Sequence, residues 1–525
     1  MSLQRKRHRF SCGCEWDVIK ENGKIVAIDY DPLKAPLNCP KTWSMLCDGK
    51  TLGTFQLETR LGQIFAKRLK PVCIEELSDL ISAIRPGVLD AIVDNKSLTA
   101  HFIDRKHGRE NVEYPHPLLE EVTKDSYGIM IFQEQSMLAS QLIAKFTGPE
   151  SYTLIKAIGK KKPELMAQLK GKFIQGAVDS GIDKEDAEQI FTIIEASQRY
   201  QFVKAHSTAY ALDNYIYSAY PKAHFPKAFF TAQLDAAKSF QDINDFINDA
   251  METDVCVMGP DVRSKNRHFL IQNNCIRYGL AKIKHVSSAA VETLQKVKDF
   301  NWQNMLYKIF PQMNSQAVEA LIKSGAVDFA HLSRKRMLHE YKIFKKLSIA
   351  QKKLLDPSIE LKTNLKNMAE KSRLKKTREI LERRLSELEN PPSSLEDSVS
   401  QICRWEQELL GYSFTYTELD DRNLSISNCT CGEFLEHKYN NSNVIRIAVV
   451  LDAVREHKVR KGSMKGEAMA FASGSDQSGK LAGIVFFPTT YYDYSTLVFP
   501  GNRVIIQGKP GKKDSSFIVE RVYQL

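Results

Sequence analysis

The hydrophobic period changes near Val444, and this constrains the fold more than any other feature of the chain. Before it, apolar residues recur at helical spacing. Leu77, Leu80, Ile81 and Ile84 do so in one stretch, and Met137, Leu138, Leu142 and Ile143 in another. After it, residues 444–450, 468–471, 483–487, 503–506 and 516–519 form five short β runs separated by Gly, Asp or Pro. Five strands in about 80 residues suit a small closed barrel such as an OB-fold. The expected fold class is therefore multidomain α+β, mainly helical, with a C-terminal five-stranded barrel. A length of 525 residues also exceeds one ordinary domain.

Punctuation sets the expected boundaries. Residues 1–50 open with Cys12-Gly-Cys14. Two short β runs follow, Trp16–Ile19 and Ile25–Ile28, around Asn22-Gly23, which reads as a hairpin. Residues 51–240 read as helical, with stops at Arg85-Pro-Gly87 and Phe146-Thr-Gly-Pro149. Residues 241–333 read as shorter helices with turns. Residues 334–390 are long and charged, and Leu374, Leu381 and Leu388 recur every seven with Leu385 between them, which predicts an amphipathic helix. Asn390-Pro-Pro-Ser-Ser394 breaks it, and residues 391–443 form a linker and pre-barrel element before the barrel at 444–525.

Charge narrows the partner class. The net charge is +11, and residues 334–384 carry 17 Lys or Arg against 6 Asp or Glu, so this one segment accounts for the whole excess. Such a segment suits a polyanion. No run of 18 apolar residues occurs, so no membrane helix is expected. The basic start, Met1 to Phe10, lacks the apolar core of a secretory signal. Ten cysteines are too sparse for a disulfide scaffold, so a reducing cytoplasm is expected, with clustered thiols read as metal ligands or core.

A series of motifs then follows in order: Gly53-Thr-Phe-Gln-Leu-Glu58, Ile84-Arg-Pro-Gly-Val-Leu89, Asp104-Arg-Lys-His-Gly-Arg109, Tyr127-Gly-Ile-Met-Ile-Phe-Gln-Glu-Gln135, Ile158-Gly-Lys-Lys-Lys-Pro-Glu164 and Phe202-Val-Lys-Ala-His-Ser-Thr-Ala-Tyr210. Together they resemble the fingers region of the bacterial replicative DNA polymerase III alpha subunit, the C family of DNA polymerases. Tyr278–Lys284 and Ala320–Asp328 look like that family's helix-hairpin-helix region, and Trp405–Gly411 resembles the element before its OB domain. The resemblance runs from about residue 38 to the end.

The resemblance implies nucleotide and primer–template contacts at Arg85, Lys156, Lys160, Lys161, Lys162, Arg199, Lys204, His206 and Tyr210. Triphosphates call for Lys, Arg and backbone N–H groups, and aromatics such as Tyr215, Tyr217 and Tyr220 can stack on a sugar or base. A bare lysine triplet is otherwise a solvated face, and the helix after Lys204 is otherwise core. Val203 stands where the family usually has Asn. In the hairpin, His285-Val-Ser287 replaces the family's Gly-Val-Gly, so close backbone approach to a phosphate is harder. Lys282 and Lys284 are the DNA contacts expected there, with a packed hairpin the alternative. On the barrel, Phe486, Phe487, Tyr491, Tyr492 and Tyr494 are candidate stacking residues, with Phe486 and Tyr491 the ones selected.

Other signals are less specific. Asp29-Tyr-Asp31 has metal-site spacing, but the family's catalytic carboxylates lie in a palm upstream, so a turn is expected. Gly474–Lys480 mimics a phosphate-binding loop, but Leu481 replaces the required Ser or Thr and a strand follows. Cys12, Cys14, Cys39 and Cys47 read either as a zinc site or as buried free thiols. Cys429-Thr-Cys431 is a further, poorer metal candidate. Gln351, Leu354 and Leu355 have the pattern of a peptide that docks in a sliding clamp, a pattern that also arises by chance on helices.

The reading is the fingers-to-OB part of a replicative polymerase. It binds dNTP and DNA primer–template in a bacterial or phage-infected host cytoplasm, with Mg²⁺ held by palm carboxylates in a separate chain. Alone it is expected to be inactive. The alternative is a non-enzymatic DNA-binding or replication-scaffold protein of the same ancestry.

Overall fold

The structure is a computed structural model that describes all residues except 1–3, 22–23, 160–162, 198–199, 440–443, 460–462 and 512–515. The chain divides into two compact units, Met1–Phe229 and Phe230–Leu525.

The first unit opens with a three-stranded antiparallel sheet, not a two-stranded hairpin. Gln4–Arg9 pairs with Glu15–Glu21, which pairs with Lys24–Asp29. The extra strand escapes a hydrophobic reading because it is almost wholly basic. Cross-strand charge holds it instead: Arg5 reaches Asp17 and Asp29, and Arg7 reaches Glu15 and Asp17. The Asn22-Gly23 turn lies outside the described residues. Asp31 accepts a hydrogen bond from the Leu33 N–H and pairs with Lys34, so Asp29-Tyr-Asp31 ends the sheet in a turn, as expected.

Helices follow. Thr59 caps Arg60–Leu69, and Ile74–Ala83 buries Ile74, Leu77, Leu80 and Ile81. Pro86 then starts a new short helix with Arg85 as its cap residue. Gln133–Ala144 stops at Lys145, which is left-handed, and Gly148–Gly159 begins where a break was expected. Two cores result. One gathers Trp16, Trp43, Leu57, Leu80, Phe102, Phe132, Tyr215 and Tyr220; the other gathers Phe146, Leu154, Phe173, Ile190 and Phe191.

The second unit ends in a closed barrel. Its strands are Ile445–Lys458, Ala468–Asp476, Gly479–Phe486, Arg503–Pro510 and Ser516–Gln524. In chain order they join first to second to third to fifth to fourth, and fourth back to first. The third–fifth pair is parallel, and the helix Pro488–Tyr494 fills the connection between third and fourth. This is the five-stranded Greek-key barrel of the OB-fold. The loop that mimics a phosphate site is the turn between the second and third strands, where Asp476 accepts from the Ser478 and Gly479 N–H groups.

Residues 334–390 are not dominated by one amphipathic helix. They form Arg334–Lys345, Ile349–Lys353, Leu361–Lys371 and Lys375–Glu389. Leu374 caps the last of these and is exposed, Leu381 is buried, and Leu385 and Leu388 are half-buried. The helix ends at Asn390, before the two prolines.

Candidate functional site

A continuous helical run, Lys204–His224, organises the first unit. It is α-helical to Asp213, π-helical over Asn214–Ala219 and α-helical again over Tyr220–His224. Such π segments tend to mark functional places in helices.

Its start is fixed by two of the sequence motifs. Phe202 forms a bridge with Phe132, with the Phe202 N–H donating to Ile131 O at 2.9 Å and the Gln133 N–H donating to Phe202 O at 2.9 Å. Val203 offers no side-chain cap, so the Lys204 N–H donates instead to the Glu134 carboxylate at 2.9 and 3.0 Å. Gln135 locks the preceding loop through its own amide, accepting from the Phe132 N–H and donating to Ser126. Further along, Asn214 donates to Phe55 O at 2.9 Å, and buried Lys222 donates to Lys50 O and Leu52 O at 3.0 Å each.

These supports align a ladder of rings and cations. The Arg85 guanidinium lies 3.9 Å from the Phe202 ring centre. Phe202 meets His206 edge-on at 5.2 Å, His206 meets Tyr210 at 4.4 Å, and Tyr210 meets Phe55 at 5.1 Å. Lys204 and His206 are exposed and Tyr210 is half-buried. Three of the expected contacts (Arg85, His206 and Tyr210) thus share one surface, to which Phe202 and Phe55 add two rings not singled out in the sequence, whereas the exposed Lys204 lies 5.6 Å over the Phe132 ring. Lys156 is exposed over the Tyr152 ring, on a different helix. Lys160, Lys161, Lys162 and Arg199 lie outside the described residues. Tyr217 is exposed, but Tyr215 and Tyr220 are fully buried and cannot stack on a base.

Those two tyrosines face a second cluster. The Sγ atoms of Cys12, Cys14 and Cys39 and a ring nitrogen of His224 all lie within 4.8 Å of one another, and the group could hold a metal ion. His224 Nε2 is 3.1 Å from Cys39 Sγ and 3.8 Å from Cys12 Sγ. Cys12 and Cys14 flank Gly13, whose φ of +88° makes the tight turn between the first two strands. Burial raises the Cys14 thiol to about 12. Burial also pushes Cys39 up, but hydrogen bonds from His224 and Thr42 outweigh it and bring the thiol down to about 6. Cys47 does not join; its Sγ donates to Pro71 O at 3.4 Å. Adjacency in sequence selected Cys47, whereas the fold brings in His224. Cys429 and Cys431 are buried in the barrel core, and burial raises both thiols.

In the second unit, Lys282 donates to Ala237 O at 3.2 Å, whereas the Lys284 side chain is exposed. His285 takes φ +71°, the left-handed geometry that glycine supplies more cheaply. On the barrel, Phe486 is a correction: it points inward and is fully buried, because it shares the inner face of its strand with Ile484. Tyr491 packs against that core and donates to Glu456 at 3.2 Å, so that of the five candidates Phe487 and Tyr492 are exposed. Of the clamp-like residues, Leu354 is exposed, but Leu355 is buried and Gln351 is engaged as the capping partner of Ser348.

The chain thus joins a helical unit with a cation–aromatic surface to a second unit that ends in an OB barrel. Residues 15–181 match the model of the bacterial DNA polymerase III alpha subunit finger domain, and residues 254–337 match a helix-hairpin-helix motif. The chain is 34% identical over 500 residues to the DNA polymerase III subunit alpha of Aquifex aeolicus, covering 94% of this chain and 39% of that protein. It is 32% identical over 486 residues to the Thermus aquaticus subunit, covering 89% and 37%. The chain is therefore similar to bacterial DNA polymerase III alpha subunits, and it spans about two fifths of the length of these relatives. Among the described residues, no helix is long and apolar enough to cross a membrane.

Proposed function

We propose that the chain is the fingers-to-OB part of a replicative DNA polymerase, binding dNTP and primer–template during DNA-templated synthesis. The observation that carries this is the single surface on which Arg85, His206 and Tyr210 meet, with the exposed Lys204 at the start of the same helix. Cations there suit a triphosphate, and the adjoining rings suit a sugar or base. The +11 segment at 334–384 suits duplex backbone. Mg²⁺ belongs with the palm carboxylates of such a polymerase. The exposed Leu354 and its neighbour Ile349 suit a sliding clamp. We also read the cluster of Cys12, Cys14, Cys39 and His224 as a Zn²⁺ site.

The test is primer extension by this chain with and without a palm-containing partner. Lys204→Ala and His206→Ala should each weaken dNTP use about 10- to 100-fold, the worth of a charge-assisted hydrogen bond. Extension by these residues without any palm would refute the assignment of the catalytic carboxylates to a palm. Primer–template binding that a correct dNTP fails to tighten would favour the non-enzymatic scaffold instead.

A further inference from the structure

The cluster of three thiols and an imidazole draws its ligands from three places. Cys12 and Cys14 sit on the first turn of the N-terminal sheet. Cys39 is the residue before the helix Pro40–Cys47, and His224 closes the helical run that begins at Lys204. A tetrahedral zinc with Zn–S near 2.3 Å and Zn–N near 2.0 Å requires S···S separations of about 3.8 Å and S···N separations of about 3.5 Å. The contacts from His224 to Cys39 and Cys12, 3.1 to 3.8 Å, already bracket the second figure. Cys14, Cys39 and His224 are buried, and Cys12 is partly so.

The surroundings hold the donors in place. The His224 ring stacks on Tyr220 at 4.2 Å, and the Tyr220 hydroxyl accepts from Trp16 Nε1 at 2.8 Å. Tyr215, in the π-helical segment, accepts from the Cys39 N–H at 3.2 Å and donates to Pro36 O at 3.0 Å. The segment around Cys39 thus meets the same helical run twice, once through its backbone at Tyr215 and once through the Cys39 thiol at His224. The far end of that run carries Lys204, His206 and Tyr210. From Tyr210 to His224 is about 20 Å at 1.5 Å per residue.

Resting on the zinc reading above, we propose that Cys12, Cys14, Cys39 and His224 bind one Zn²⁺ that staples the N-terminal sheet to the end of the Lys204–His224 run, and that this staple sets the position of the nucleotide-facing residues at its start. Binding replaces the thiol protons, which pass to solvent, with bonds to the metal, leaving three thiolates and a neutral imidazole around it. The sheet then acts as a brace on the fingers. This explains why the Cys-Gly-Cys turn lies against a helix more than 200 residues away in sequence.

The experiment uses the full chain. Metal analysis should find one equivalent of zinc, and Co²⁺ substitution should give the d–d and thiolate charge-transfer bands of a tetrahedral S₃N site. Cys39→Ser and His224→Ala should lose the metal, Cys47→Ser should keep it, and His224→Cys should regain it with an all-sulfur spectrum. That rescue separates ligation from a folding defect. Stripping zinc with a chelator should raise hydrogen exchange at least tenfold across 204–224, and adding Zn²⁺ back should reverse it. A chain that binds no zinc overturns both the zinc reading and the staple. Zinc lost in Cys47→Ser but kept in His224→Ala overturns the ligand set. Zinc bound in the expected site, with exchange across 204–224 unchanged on its removal, overturns the staple and leaves the zinc reading intact.

Discussion

Asp79 offers a stringent test of how the helix beneath the cation–aromatic surface is built. It lies on Ile74–Ala83, the helix that packs under Lys204–Asp213, and is only 7% exposed. The two helices touch through hydroxyls: Ser82 meets Ser207 at 2.8 Å, Ser207 donates to Ser78 O at 2.7 Å, and Ser78 meets Thr208 at 3.3 Å. Burial drives the Asp79 carboxyl up to about 7; Lys204 and Lys106 pull it down, and Glu76 and Asp125 push it up. In the unfolded chain an aspartate titrates near 3.9. Between those two values the folded protein holds a proton that the unfolded chain has lost. Stability therefore falls by about 1.4 kcal/mol per pH unit as pH rises through that window, and levels off above pH 7. The total is about 4 kcal/mol, an upper figure because the interior relaxes around a new charge.

Asp79→Asn keeps the shape and removes the titration. Amide exchange across 74–83 and 204–213, corrected for its intrinsic pH dependence, should report opening that becomes steadily easier in the parent from pH 4 to 7. In Asp79→Asn it should stay flat. At pH 8 the variant should be the better protected of the two, and near pH 4 they should agree. Lys204→Met, which removes the larger of the two favourable charge effects, should shift the parent's profile toward higher pH. If parent and Asp79→Asn run parallel across this range, Asp79 is not a buried neutral acid and the reasoning fails.

Three further outcomes test other parts of the molecule. Glu406→Ala should destabilise the second unit by about 2–4 kcal/mol in urea unfolding, because it orphans the Phe414 and Thr415 N–H groups and leaves buried Arg334 with Asp328 as its remaining acidic partner. Tyr492→Ala and Phe487→Ala should each weaken single-stranded DNA binding about 5- to 100-fold in a fluorescence titration, with little change in stability. Phe486→Ala should do the reverse, costing about 3–5 kcal/mol of stability through a cavity in the barrel.

What the sequence makes legible follows from which forces leave a local mark. The barrel strands bury alternate side chains, so period and turn residues reveal them. The same period also resolves the two phenylalanines at the end of the third strand, since Phe486 keeps step with Ile484 and Phe487 does not. The strand Gln4–Arg9 leaves no such mark because ion pairs, not burial, hold it. His224 is invisible for another reason: ligands are chosen by proximity in space, and nothing local distinguishes it from a helix-terminal histidine. Its signal is indirect, as a histidine four residues after Tyr220, within a helical run whose buried tyrosines pack on the cysteine-bearing segments.

The recognisable motifs also divide into parts that meet ligand and parts that hold those parts still. In the segment from Tyr127 to Gln135, Ile129, Ile131 and Phe132 are buried, Gln135 locks the loop and Glu134 caps the Lys204 helix. In the segment from Gly53 to Glu58, Leu57 is core, and Phe55 both accepts from Asn214 and closes the ring ladder on Tyr210. In the segment from Phe202 to Tyr210, Ser207 is buried while Lys204 and His206 face outward. Segments far apart in sequence therefore converge on one helical run, and most of their residues act on its geometry. A substitution at Gln135 or Leu57 should move the ladder as a body, whereas one at Lys204 should remove a single contact and leave the ladder in place.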